Sequence, residues 1–294
     1  MSETNRTLTQ KVNSVLAELT ADIKHNKLQL PSPPDLLLKV RATIADQESE
    51  LEDIVDLVKQ DPNISGRLIK VANSALLASR FPVTDVKAAI ARLGSAKVQS
   101  LVTSLVIAQN FLAFKSHGIE KYFDSAWQQS SYVAAINYVL AVKKTELDAE
   151  QALLAGIVHN IGVLPLILRL NRIPLFKEQT ELLHKVADVV IPRLYPNAGK
   201  LILENWNFPD DIVAIALTHS KPTRESTGPV NLNDITLISS ELSKLDDFTH
   251  TESAPENLVN SATFLKLWAN WQEASEELRS LRFEINEMKK TISN

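Results

Sequence analysis

Cysteine is absent from the 294 residues, which removes disulfides, thiolate metal sites, iron–sulfur clusters and cysteine nucleophiles together. Any metal would have to be held by the six histidines and by carboxylates. Glycine is scarce, seven residues without a cluster, so neither a dinucleotide fingerprint nor a P-loop can be written onto the chain. Hairpin turns of the Asn-Gly or Asp-Gly kind are missing, as is any sustained period of two, and strands are not expected. No uninterrupted apolar run approaches the roughly 18 residues that span a bilayer. The start, MSETNRTLTQKVNSVL, lacks the charged head and apolar core of a secretory signal. A cytoplasmic location without membrane contact is the expectation. The formal charge of −4 gives no global attraction to nucleic acid, and none is expected as a partner.

What is present is helical periodicity nearly everywhere, so the fold is expected to be all-α. Leu8, Val12, Val15, Leu16, Leu19 and Ile23 form one apolar face, giving an amphipathic helix within 1–28 that stops before Pro31, Pro33 and Pro34. Ser49 with Glu52 reads as a capping box opening a helix, and Asp61-Pro62 closes it. A helix over 65–77 follows, then a break at Phe81-Pro82, a short helix ending at Gly94, where a positive φ is tolerated, and a long helix to about 115. Further helices are expected over 132–142, 148–168, 180–190, 194–206, 210–219 and 233–245. Prolines at 174, 192, 209, 222 and 229 are read as separating them. The polar, acidic stretch 246–257 reads as a linker, leaving 258–294 as a last, separate helix.

Five stretches taken together carry a family likeness: LPSPPDLLLKV at 30–40, QDPNISGRLIKVANSALL at 60–77, AIARLG at 89–94, ALLAGIVHNIGVL at 152–164 and ENWNFPDDIVAIALTH at 204–219. In that order and spacing they resemble the HDOD family, the bacterial HD-related output domain. The resemblance spans about 28–245 and implies an N-terminal helical bundle (29–117) followed by a degenerate HD-like part (118–245). It also implies a regulatory role in bacterial signalling, without the catalytic metal site of the hydrolase relatives.

An HD hydrolase holds its metal with an early His, an adjacent His-Asp pair, further histidines and a late Asp. By the resemblance, the early His falls at Gln129, after Trp127, and the His-Asp pair reads His159-Asn160. A further His falls at Tyr195, the next at His219, and the late Asp near Glu241. An amide at 160 keeps an acceptor oxygen but loses the charge a hard dication needs. The degenerate cleft would thus be lined by Gln129, His159, Asn160, Tyr195, His219 and Glu241. If a metal is bound after all, its ligands would be His159, His219 and Glu241, chemically adequate for zinc or iron. Against that stands a structural role for His159 in an apolar helix flanked by Gly156 and Gly162, which allow close helix approach. His219 at a helix C-terminus also has a local reading through the helix dipole. His25, His117, His184 and His250 carry no spacing signal and are read as surface.

Arg67, Lys70, Arg80, Lys87, Arg92 and Lys97 face only Asp85 between 67 and 97. They could serve a phosphate-bearing ligand or an acidic partner, or form a solvated surface scattered by the fold. No Gly-x-Ser-x-Gly elbow supports nucleophilic catalysis. The C-terminal residues Phe264, Leu267, Trp271, Ala274, Leu278, Leu281, Ile285, Met288 and Ile292 alternate spacings of three and four, the seam of a coiled coil. With Phe264 at a, Glu277 would meet Arg282 and Glu284 would meet Lys289 across a parallel homodimer sealed by Leu278, Leu281, Ile285 and Met288. The competing reading folds this helix onto the chain's own core. The leading functional expectation is a non-catalytic regulatory module acting on signalling proteins in trans, gated by a small anionic ligand or nucleotide, with no cofactor. The alternatives are a metal-dependent phosphohydrolase and a ligand-free adaptor.

Overall fold

The protein is described by a computed structural model over residues 3–46, 48–74, 81–113, 118–245 and 255–293. Among these residues every regular element is helical, as expected. Helix α1 (Glu3–Lys24) precedes a bundle of α2 (Asp35–Ala45), α3 (Leu51–Lys59), α4 (Pro62–Ala72), α5 (Val86–Leu93) and α6 (Ser95–Ala113). The second half holds α7 (Glu120–Lys144), α8 (Ala149–Val158), α9 (Val163–Asn171), α10 (Pro174–Glu178), α11 (Thr180–Asn205), α12 (Asp210–Thr218) and α13 (Leu232–Leu242). The C-terminal segment consists of α14 (Glu256–Val259), a 3-10 turn at Phe264–Lys266, α15 (Trp271–Ser280) and α16 (Arg282–Ser293). All but the last residues of the expected linker, 246–257, lie outside the described residues.

Local chemistry explains most boundaries. Asp61 caps α4 by accepting from the amides of Asn63 and Ile64, with Pro62 at the first helical position; the dipeptide read as an end is also a beginning. The capping box sits one residue later than expected, the Glu50 amide donating to Asp53 Oδ2 at 2.8 Å. Gly94 closes α5 with φ 85°. Residues Val133 to Ala141 of α7 are buried on every side, the mark of a helix running through a core. An 18-residue window within Ala149–Asn171 is apolar and long enough by composition to cross a membrane, but 89% of that window is buried inside the protein. Pro192 does not separate two helices: α11 runs through it and through Pro196. Val190, Ile191 and Leu194 are anchored in the core, and that packing offsets the lost amide bond.

The C-terminal segment corrects the expected heptad helix. It is broken at Leu281 and preceded by irregular chain rather than continuous from 258. Asn270 starts α15 by accepting from the Glu273 amide. The residues assigned to a dimer seam, Leu278, Leu281, Ile285 and Met288, are at most 7% exposed within the single chain. Helix α16 lies on α7, α4 and α6, so it ties the two halves together. The charges expected to pair between chains are also used internally: Glu277 Oε2 accepts from Lys144 Nζ at 2.8 Å and from Trp268 Nε1 at 2.7 Å, and Lys289 lies over the Tyr132 ring. A large apolar side chain contributes about 1.5–3 kcal/mol when fully buried. In the single chain all four are already used in this way by the protein's own core.

A buried ionic cluster fastens this segment. Asp234, fully buried at the start of α13, accepts from Arg224 Nη2, from Ser226 Oγ at 2.6 Å and from Lys266 Nζ at 2.8 Å. Burial alone would push this carboxyl up; the hydrogen bonds from Lys266 and Ser226 and the charge of Arg224 outweigh it and hold it below the ordinary carboxylate range. Replacing Asp234 by Ala leaves two largely buried cations without their counter-ion, which costs about 3–5 kcal/mol in comparable cases. Urea unfolding should show that loss, and a change under about 1 kcal/mol would contradict the role given to the cluster.

Candidate functional site

The helix expected over 148–168 is interrupted at 159–162, between α8 and α9, and the break places His159 and Asn160 at the centre of the second half. Two glycines set the spacing. A Cβ on Gly156 would stand 2.3 Å from Ala134 Cα, and one on Gly162 would stand 2.0 Å from the Tyr195 carbonyl oxygen. Helix α8 therefore lies against α7, and the start of α9 against α11, at distances only glycine permits. The close approach expected at Gly156 and Gly162 is what the structure has.

At this crossing the rings of His159 and His219 meet edge to face, centroids 5.0 Å apart. Each is 1% exposed. His219 Nδ1 lies 2.9 Å from the Ile215 carbonyl, which can only accept, so that nitrogen carries the proton. Its Nε2 is then an acceptor, and the Tyr195 hydroxyl donates to it at 2.7 Å. His159 Nδ1 likewise donates to the Gly156 carbonyl at 2.7 Å. His159 Nε2 is buried with no hydrogen-bond partner. Asn160 faces the other way: Oδ1 accepts from Ser130 Oγ at 2.5 Å and Nδ2 donates to the Ala126 carbonyl at 3.0 Å, both on α7.

Burial dominates the electrostatics. It lowers His159 to about 3, helped by the neighbouring His219, and lowers His219 to about 4. Burial also pushes the Tyr195 phenol up to about 12, with a further push from the Glu241 charge against a contact with Ser220. At neutral pH the pair is uncharged. Glu241 sits at the rim on α13, 2.5 Å from Lys244 Nζ. Gln129 is half-buried on α7 beside Ser130 and takes no part in the hydrogen bonds of the cluster.

The HDOD domain family profile matches residues 30–222, well over half of the chain. The chain belongs to the HDOD family. Its fold is shared with a protein of Shewanella amazonensis SB2B provisionally named a metal-dependent phosphohydrolase, at 21% identity and a TM-score of 0.73 over 96% of this chain and 99% of that one. An HDOD domain protein of Geobacter sulfurreducens aligns at 16% identity with a TM-score of 0.65, covering 97% and 99%. A Marinobacter aquaeolei VT8 protein, provisionally named a signal transduction protein, aligns at 21% identity with a TM-score of 0.56, covering 96% and 66%. An uncharacterized protein of Treponema pallidum (strain Nichols) is 21% identical over 264 residues, and this HDOD chain spans about half of its length.

The residues of this HDOD chain do not fit a metal. Both ends of the Asn160 amide are taken by α7, the free lone pair of His219 is capped by Tyr195, and Glu241 is paired with Lys244. Among the described residues no three His, Asp or Glu side chains converge as a metal set, so His159, His219 and Glu241 are not brought together as ligands. Sequence reasoning gave no role to Ser130, Ser220 and Lys244, although Ser130 stands next to Gln129 and Ser220 next to His219. The basic stretch is scattered. Lys87 pairs with Glu52, Lys97 approaches Glu150 at 3.7 Å, and Arg92 donates to the carbonyls of Ala72 and Phe81. Arg80 lies outside the described residues. His184, read as surface, is half-buried and bonds the Gly118 carbonyl.

Proposed function

We propose that the protein is a non-catalytic regulatory module that relays a signal through contacts with other signalling proteins. The observation that carries this is Asn160, whose amide is spent on tying the α8–α9 break to α7 where a hydrolase needs a charged ligand. Groups that would face a metal are used instead to lock helices. The name of the Marinobacter relative is in keeping with this reading. Large exposed apolar residues, Phe81 at 74% and Phe283 at 66%, offer contact points of the kind protein interfaces use. An anionic gate in the cleft has little support: both imidazoles are neutral, and the nearby cation Lys244 is already paired.

The second reading, a metal-dependent phosphohydrolase, is favoured by one observation, the unpartnered Nε2 of His159. Elemental analysis of protein purified without chelator, with a phosphoesterase assay on the same sample, separates the two. The regulatory reading expects substoichiometric transition metal and no turnover. Stoichiometric metal with activity lost in His159→Ala overturns it.

A further inference from the structure

A cavity of about 450 Å³ lies between the two halves, and neither histidine of the pair lines it. Its walls come from α2 and α6 on one side and from α8 and the start of α12 on the other. That volume falls within the range of small-molecule pockets. Its lining includes Arg41, on α2, and Asp211, on α12. Arg41 is fixed in place: Nη1 donates to the Trp206 carbonyl at 2.7 Å, and the guanidinium lies 4.1 Å over the Phe208 ring. Neither Arg41 nor Asp211 forms an ion pair among the described residues, and the only bond to the Asp211 carboxylate is from its neighbour's amide to Oδ1. Burial without a counter-ion lowers the Arg41 pKa. A half-buried cation and an uncommitted carboxylate thus face one space without meeting.

The lining chooses among ligands. A nucleobase would need a free aromatic face, but Phe208 is 7% exposed and covered by Arg41. A phosphate would meet one cation against a carboxylate, a poor balance. A zwitterion satisfies both charges: its carboxylate matches the guanidinium fork and its ammonium matches Asp211. The amides of Gln99 and Gln151 supply neutral hydrogen-bonding groups, while Leu154 and Ile212 give an apolar wall for a side chain. We propose that this cavity binds a free α-amino acid, carboxylate on Arg41 and ammonium on Asp211. Because Arg41 stands on α2 and Asp211 on α12, the ligand bridges the two halves and biases their packing. This site is independent of the histidine pair and of whether that pair holds a metal.

The test is thermal unfolding of the full chain with each of the proteinogenic L-α-amino acids at millimolar concentration, followed by calorimetric titration of those that stabilise. The corresponding amine without its carboxylate and acid without its amine serve as controls. At least one amino acid should raise Tm while its two analogues do not. Asp211→Asn, an exposed position, should leave the unliganded Tm in place and weaken binding about ten- to hundredfold, the loss of one charge-assisted hydrogen bond. Arg41→Lys should weaken it as well. The proposal is overturned if no amino acid raises Tm, if the acid analogue binds as tightly as the amino acid, or if Asp211→Asn binds unchanged.

Discussion

Gly162→Ala will destabilise the protein by more than about 4 kcal/mol or prevent it from folding, an effect reserved for a few mechanisms, overpacking among them. The added Cβ would stand 2.0 Å from the Tyr195 carbonyl oxygen and 2.3 Å from the Gly199 amide nitrogen. Both are backbone atoms of α11, so no side-chain rotation relieves the clash. The helices must part, and parting them pulls Tyr195 from His219. Gly156→Ala acts in the same way between α8 and α7, 2.3 Å from Ala134 Cα. Gly66→Ala is the control: nothing lies within 4 Å of its Cβ inside α4. An alanine there should be neutral or stabilise by up to about 1 kcal/mol. Urea midpoints of the three variants read the contrast directly, and a Gly162→Ala protein as stable as the Gly66→Ala one would refute the tight crossing.

The glycine crossings were legible because Gly156 and Gly162 flank an apolar helix with no other reason to carry them. The meeting of His159 and His219 was legible only through family resemblance, since 60 residues of chain separate them. The same resemblance put Tyr195 in one cleft with His219, but its hydroxyl as a cap on that ring was not legible, since this depends on which face of α11 meets α12. Pro192 misled because a local rule was applied where Val190, Ile191 and Leu194 hold the helix together through burial. The C-terminal seam misled for a different reason. Spacings of three and four describe a helix with one apolar stripe, and they do not say whether the stripe meets another chain or its own core. One signal pointed to the core: Asn270 three residues before Glu273 is a helix start, and a start there breaks the seam after Leu267.

Stability will fall with acidification at roughly 2.7 kcal/mol per pH unit between about pH 6 and 4.5, before most carboxylates titrate. In the unfolded chain both histidines take up a proton below about pH 6.5. In the folded chain burial holds His159 neutral down to about 3 and His219 down to about 4. The unfolded state thus binds about two more protons across this window, and stability must rise with pH. It is complete above pH 6.5 and is lost as the pH falls toward the folded values. Lys244 adds to the depression of both imidazoles, and the carbonyls of Gly156 and Ile215 oppose it. Asp234 contributes in the same direction only below the ordinary carboxylate range, as its own lowered pKa is approached. Glu150, raised by burial, runs the opposite way, so the histidine share is isolated by difference. Urea midpoints at several pH values for the natural chain and for His159→Gln and His219→Gln should give about half the slope in each single variant. An unchanged slope in both would mean that the pair is already protonated in the fold. The cost of charging two rings 5.0 Å apart in a dry crossing argues that it is not.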